Sequence, residues 1–335
     1  MKKKLFLVCV SLVWTVALMA QQIAVVSTSG TKVFRTLQEA IEGADPGSVI
    51  YLPGGGFALP DSVKITKKLT IYGIGHKSNN DNVDGVTTIS GNLFFDKDSD
   101  GSALMGCYLS GGVYIGNDGN EVDNVLIRCN NIAIVCVMND KCLGTYINQN
   151  YIRQYGHFRH ASAKFTNNII PYISELHDGF ISNNIFTSAG YDNIWGGLAS
   201  WNLRPMHNVS RSSVMNNIVF DARHYGDDHP FWSGSDVLAS GNMCTVEVDD
   251  DSDCINVGEV DMNNVFVDYK GITPNSDFHF KDEYKQYEGK VGIYGGTGFS
   301  DAQLAPVPYI VRKIIPEHTD AEGKLNIKIR VKAGE

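Results

Sequence analysis

One short element recurs along most of this chain: two polar residues, usually a pair of asparagines, with apolar residues directly after them. It reads Cys129-Asn130-Asn131-Ile132, Gln149-Asn150-Tyr151-Ile152, Thr166-Asn167-Asn168-Ile169, Ser182-Asn183-Asn184-Ile185, Met215-Asn216-Asn217-Ile218, Gly241-Asn242-Met243 and Met262-Asn263-Asn264-Val265. The second asparagine of each unit falls at 131, 150, 168, 184, 217, 242 and 264, in steps of 19, 18, 16, 33, 25 and 22 residues. The 33-residue step is one unit with a large insertion or two units, one of them degenerate. Strand-like units repeating about every 20–25 residues point to a chain that coils, each coil stacking on the last.

The residue type follows from that geometry. An alternating segment such as Val125-Leu126-Ile127 precedes the pair, and an apolar one such as Ile218-Val219-Phe220 follows it. A bend of one or two residues between two strands needs left-handed backbone angles, which Gly and Asn tolerate best. Stacking at the inter-strand spacing of about 4.8 Å lets the side-chain amides hydrogen-bond from coil to coil. The asparagines are therefore expected to be structural, with no catalytic role.

Lys2, Lys3 and Lys4, followed by the apolar run from Leu5 to Ala20, read as a signal peptide (residues 1–20) cleaved after Ala20. The run is too short for a typical membrane span, and no second hydrophobic span follows. The expectation is an exported protein, periplasmic or extracellular, at the cell surface or beyond it. Loss of three lysines moves the net charge from −9 to −12, which argues against a general nucleic-acid binder. Six cysteines remain: Cys107, Cys129, Cys136, Cys142, Cys244 and Cys254. Export permits disulfides, with Cys107 and Cys129 about one coil apart and Cys136–Cys142 and Cys244–Cys254 able to close short loops. The alternative is buried free thiols.

Before the repeats, Phe34 to Ala44 reads as a short amphipathic helix, with Leu37, Ala40, Ile41 and Ala44 on one face and Asp45-Pro46-Gly47 ending it. Such a helix would cover the open end of the first coil. The run Thr36-Leu37-Gln38-Glu39-Ala40-Ile41, then Pro46-Gly47-Ser48-Val49-Ile50-Tyr51-Leu52-Pro53-Gly54, then Leu69-Thr70-Ile71-Tyr72-Gly73 resembles the entry of the pectate-lyase-like right-handed parallel β-helix superfamily. With the asparagine repeats included, the resemblance spans roughly residues 31–300. It implies an all-β, right-handed, single-stranded parallel β-helix. It does not imply one activity, because lyases, hydrolases, esterases and non-enzymes share this fold. The Asn-Thr-Asp, Gly-His-Gly and Arg-Ile-Lys set of polygalacturonase-like members is not in the sequence, nor is the pectin esterase set.

The expected organisation is an N-terminal cap over 21–47, a parallel β-helix over 48–303 and a C-terminal β-hairpin over 304–335. In that tail, Leu325 to Lys332 alternates apolar with mostly basic residues, and Ile310, Val311, Ile314 and Ile315 precede a turn at Asp320-Ala321-Glu322-Gly323. The hairpin is expected to cap the solenoid; the alternative is an edge that docks a protein partner or a second copy. The tail resembles those of exported β-helix proteins of gut Bacteroidetes.

Chemistry is expected in the segments after the asparagine pairs, which must bulge outward on one lateral face: loops 153–160, 174–180, 189–209 and 221–235. Six of the nine histidines and three of the four tryptophans lie between 157 and 232. Aromatic rings suit sugar rings and guanidinium forks suit carboxylates, so the expected ligand is a polysaccharide or other glycan. Candidate binding residues are His157, His177, Trp195, Trp201, Arg204, Tyr225 and Trp232. A lyase would use Arg223 or His224 as base, with Arg204 or a calcium ion as neutraliser. A hydrolase would pair Asp227 or Asp228 with Asp192 or Asp178. The alternative is a non-catalytic surface or structural protein. Asp96-Lys97-Asp98-Ser99-Asp100-Gly101 has the form of a calcium loop, but Cys107 stands where its last ligand should be. Calcium at Asp96, Asp98 and Asp100 is the one cofactor expectation.

Overall fold

The computed structural model describes residues 22–60, 63–77, 85–187, 205–220, 231–244, 254–258, 260–301, 308–314, 316, 318–319 and 322–332. It is an all-β fold dominated by two long parallel sheets. Sheet A runs from the strand Ser48–Tyr51 to Leu238–Ser240, and sheet B from Gly55–Ala58 to Cys254–Asn256. The chain passes from one sheet to the other and back, adding a parallel strand at each visit. Sheet B includes a third face, and the strands Asn131–Val137 and Tyr151–His157 run straight across the corner between the two.

The core lies between these faces. On sheet A, Ile50, Ile71, Leu104, Ile127, Ile147, Phe165, Ile181 and Val214 pair in register, one per pass, and all are fully buried. Burying each such side chain contributes about 1.5–3 kcal/mol. The period of two then sends the residues on either side outward.

The asparagine pairs make the bend from sheet A to sheet B, and the two members have different tasks. The first residue of each pair takes the left-handed conformation: Cys129 (φ 54°), Gln149 (58°), Asn167 (54°), Asn183 (58°), Asn216 (55°) and Gly241 (63°). The second turns inward. The side-chain oxygen of Asn150 accepts from the Asn130 backbone N–H at 3.0 Å and from its amide at 3.1 Å. The same pattern links Asn150 to Asn168, Asn168 to Asn184, Asn184 to Asn217 and Asn217 to Asn242. All six ladder residues are fully buried. The ladder begins at Asn130, not at the expected Asn131, because Asn131 pairs with Tyr151 and so stands one residue further on. Its side-chain oxygen accepts from Arg153 instead. Cys107 occupies the next rung, its backbone N–H donating to Asn130 at 3.0 Å.

The 33-residue step is a single pass, since Ser182 pairs directly with Met215 and Ile185 with Ile218; its insertion over 188–204 lies outside the described residues. The last pair is not a rung. Asn263 and Asn264 lie in the short helix Met262–Val265, capped by Asp261. Among the described residues the parallel sheets therefore end at Cys254–Asn256, short of the expected boundary at 303. From 262 to 301 the chain crosses back over the outer face of sheet B. There Phe266, Phe278, Phe280, Val291 and Ile293 bury Tyr151, Ile169, Ile185, Ile218 and Met243 in a second core.

At the N-terminal end the helix Leu37–Gly43 forms as expected. Thr36 accepts from the Glu39 N–H at 3.2 Å, and Glu39 returns the contact to the Thr36 N–H at 3.3 Å. An antiparallel pair, Ile23–Ser27 with Gly30–Phe34, adds to the edge of sheet A. The tail forms the antiparallel hairpin Tyr309–Ile314 with Lys328–Lys332. The six cysteines expected after residue 20 are free thiols. Burial pushes Cys107 up to about 12 and Cys129 to about 11. Among the described residues no helix is long and apolar enough to cross a membrane.

Candidate functional site

The described part of the expected loop face forms a wall of imidazoles along the third face of the fold. His157 ends its strand, pairs with Ser174 on the next pass, and Ser174 pairs with His207 on the one after. His157 Nδ1 lies 2.9 Å from the Ser174 hydroxyl, and His207 Nδ1 lies 3.2 Å from that of Ser233. Glu175 follows in left-handed geometry (φ 56°) and places Oε2 3.8 Å from His157 Nε2 and 3.9 Å from His160 Nε2. His160 Nδ1 and His177 Nε2 are 3.0 Å apart. A contact of that length holds one proton, so the two rings cannot both be charged there without repulsion.

Burial holds His157 below its ordinary value, helped by Arg159 and His160 and opposed by Glu175. His177 is held low by burial, then by His160 and Arg211, against Asp178 and Glu175. Asp178, next in sequence, accepts both guanidinium N–H groups of Arg211, at 2.9 Å from Nε and 2.7 Å from Nη2. That fork holds the Asp178 carboxyl below its ordinary value.

Asp178 also lines a cleft of about 680 Å³ on the outer face of sheet A. Its floor is one column of the sheet: Tyr146 pairs with Lys164, Lys164 with Phe180 and Phe180 with Ser213. The Lys164 ammonium sits 4.8 Å above the Tyr146 ring. Phe180 is 39% exposed. The cleft thus offers two flat rings and an ammonium, with the Asp178 carboxylate, held by Arg211, at its edge. These are the groups that stack on sugar rings and hydrogen-bond their hydroxyls.

The structure brings together only part of the expected site. His157 and His177 are on the wall, with His160, Glu175 and Asp178. Trp232 is half-buried and packs against the main core, edge-on to Phe231. Asp192, Trp195, Trp201, Arg204, Arg223, His224, Tyr225, Asp227 and Asp228 lie outside the described residues. The acidic loop does not fit a calcium ion. Asp96 is buried and bound by the Lys64 ammonium at 2.9 Å and by the Asn120 amide. Burial pushes its carboxyl up, but those bonds and the Lys97 N–H outweigh burial and hold it low. Asp100 instead accepts from the Asp123 N–H at 2.6 Å. Among the described residues no group of three or more His, Cys, Asp or Glu side chains is arranged to hold a metal ion.

Tyr146, Lys164 and Phe180 were not among the expected site residues. Each stands four positions before a ladder asparagine, at 150, 168 and 184, so the repeat itself carries the signal that groups them. No protein-family model, curated protein or solved structure matches the chain.

Proposed function

We propose that this chain is an exported right-handed parallel β-helix protein, of the pectate-lyase-like kind, that binds a polysaccharide along the sheet A cleft and the imidazole wall beside it. The observation that carries this reading is the floor of the cleft, where Tyr146, Lys164 and Phe180 stand one above another on successive strands. A linear glycan running along the stack would meet a ring, an ammonium and a second ring in turn. Recognition is the proposed activity. Cleavage by proton abstraction is a second reading, supported by His177, an imidazole held below its ordinary value by burial and next in sequence to the Asp178 that lines the cleft.

A glycan array followed by released-product analysis tests both. Phe180→Ala should weaken binding of any array-positive glycan by up to about tenfold, or ~1.4 kcal/mol, near the upper range of about 0.5–1.5 kcal/mol for one aromatic contact. Unchanged affinity in Phe180→Ala and Lys164→Ala would remove the cleft from consideration. Unsaturated products that disappear in His177→Asn would establish the lyase reading, and binding without turnover would leave recognition alone.

A further inference from the structure

The segment crossing sheet B carries a polar recess of its own. Its strand Asp277–Phe280 alternates, sending Phe278 and Phe280 into the second core and leaving Asp277 and His279 half-buried. The Asp277 carboxylate accepts from the His279 backbone N–H at 3.0 Å and lies 2.7 Å from its Nδ1. The His279 ring stacks on Tyr294 with centroids 4.0 Å apart and planes 24° from parallel. The Tyr294 hydroxyl donates to Asp301 at 2.7 Å. Lys77, from a pass of the coil, donates to the Asp301 carbonyl at 3.3 Å. Lys270, paired with Asp268 at 2.5 Å, closes the recess, whose volume is about 610 Å³.

We infer that this recess is a second ligand site and that it takes a neutral saccharide unit of one or two rings. The volume lies within the range of about 300–1,000 Å³ usual for small-molecule sites. Two ammonium groups, Lys77 and Lys270, share the lining with two carboxylates, Asp277 and Asp301. Lys270 is already held by Asp268 and the lining carries both signs, so an ionic ligand gains little from entering. A hydroxyl both donates and accepts, and a ring bearing several of them can bond ammonium and carboxylate at once. The stacked His279 and Tyr294 also line the recess and add apolar ring surface beside its polar groups. Burial and the bond to Asp301 push the Tyr294 phenol up, so its hydroxyl keeps its proton for that bond. The ligand class rests on the carbohydrate reading above, while the site and its lining are separate from the sheet A cleft.

The test is saturation-transfer NMR on the full chain with D-galactose, N-acetyl-D-glucosamine and D-galacturonate, each at millimolar concentration. Transfer to at least one neutral sugar is expected, still present in Phe180→Ala, which removes the cleft's share, and reduced fivefold or more from that level when Asp301→Asn or Lys77→Ala is added to it. A melting curve checks that each variant folds; if Asp301→Asn does not, Lys77→Ala carries the comparison. Transfer to galacturonate alone, no transfer to either neutral sugar, or equal transfer in folded recess variants overturns the recess. Loss in Phe180→Ala alone also overturns it, while leaving the cleft intact.

Discussion

The two asparagines of a pair carry separate loads. The second sits in the buried ladder and saturates backbone groups of its neighbours. Asn184 accepts from the Asn168 N–H at 2.8 Å and donates to the Phe165 carbonyl at 2.9 Å. Replacing it by Ala strands both, and each unsatisfied buried group costs about 1–3 kcal/mol. Asn184→Ala should therefore lower the urea midpoint by an amount corresponding to roughly 2–5 kcal/mol. An unchanged midpoint would show that the ladder is not a stabilising element. The imidazole wall gives a pH signature. His157 and His177 are held below their ordinary 6.5, so the folded chain binds fewer protons than the unfolded chain as pH falls through that value. Their contribution is complete above about pH 6.5 and is lost below it. The carboxyls held low, Asp45, Asp96, Asp178 and Asp277, start from 3.8 and act only in more acid solution. The melting temperature should therefore fall between about pH 6.5 and 4.5, and His177→Asn should flatten the slope. Equal slopes in the two proteins would sink the idea. This behaviour depends on Glu175, Arg159, His160 and Arg211 standing around the rings, which spacing along the chain does not disclose.

At the level of elements, the ladder acts as a ruler whose offsets name whole columns. Four residues before the rungs at 150, 168, 184 and 217 is the cleft floor, and six before those at 184, 217 and 242 is the bend occupied by Asp178 (φ 50°), Arg211 (φ 50°) and Asp236 (φ 57°). The register was legible in the sequence to within one residue; the error at Asn131 arises because the left-handed residue of the first unit is Cys129, so its rung is the first asparagine of the pair and not the second. The crossing segment was not legible. Met262-Asn263-Asn264-Val265 has the composition of a rung, but Asp261 before it caps a helix instead of ending a strand. What holds the segment in place is also hidden in the repeat, because the left-handed residues that make the bend point outward and bind its backbone. Asn167 donates to the carbonyls of Ile293 at 2.8 Å and Gly295 at 2.7 Å, Gln149 donates to that of Gly298 at 2.9 Å, and Gly292 donates its N–H to the Asn216 carbonyl at 2.8 Å. A side chain at Gly295 would push the Asn183 amide aside, since a Cβ there would stand 2.2 Å from it. Sequence alone shows why a bend tolerates Asn; it does not show that Asn, unlike Gly, leaves an amide free to seam a later segment onto the sheet.

For the whole molecule, the two C-terminal elements have opposite standing. The hairpin was expected to cap the solenoid, yet its apolar row is open: Leu325, Ile327, Ile329 and Val331 are 45–57% exposed. A two-stranded ribbon in water is marginally stable at best, so this one adds little to the fold. The crossing segment is the reverse case. It covers Ile169, Ile185, Ile218 and Met243, all essentially inaccessible to water. At about 1.5–3 kcal/mol for each buried side chain, uncovering four of them costs roughly 6–12 kcal/mol, as much as the whole stability of about 5–15 kcal/mol typical of a domain. A chain ending at residue 301 should then melt within a few degrees of the full chain and stay soluble, whereas one ending at residue 258 should not accumulate as a soluble, cooperatively melting protein. Differential scanning calorimetry of the two truncations checks this. A large loss in the longer one would return the hairpin to the role of a cap. A stable shorter one would mean that the parallel sheets stand without their cover and that the second core is an addition to the fold instead of a part of it.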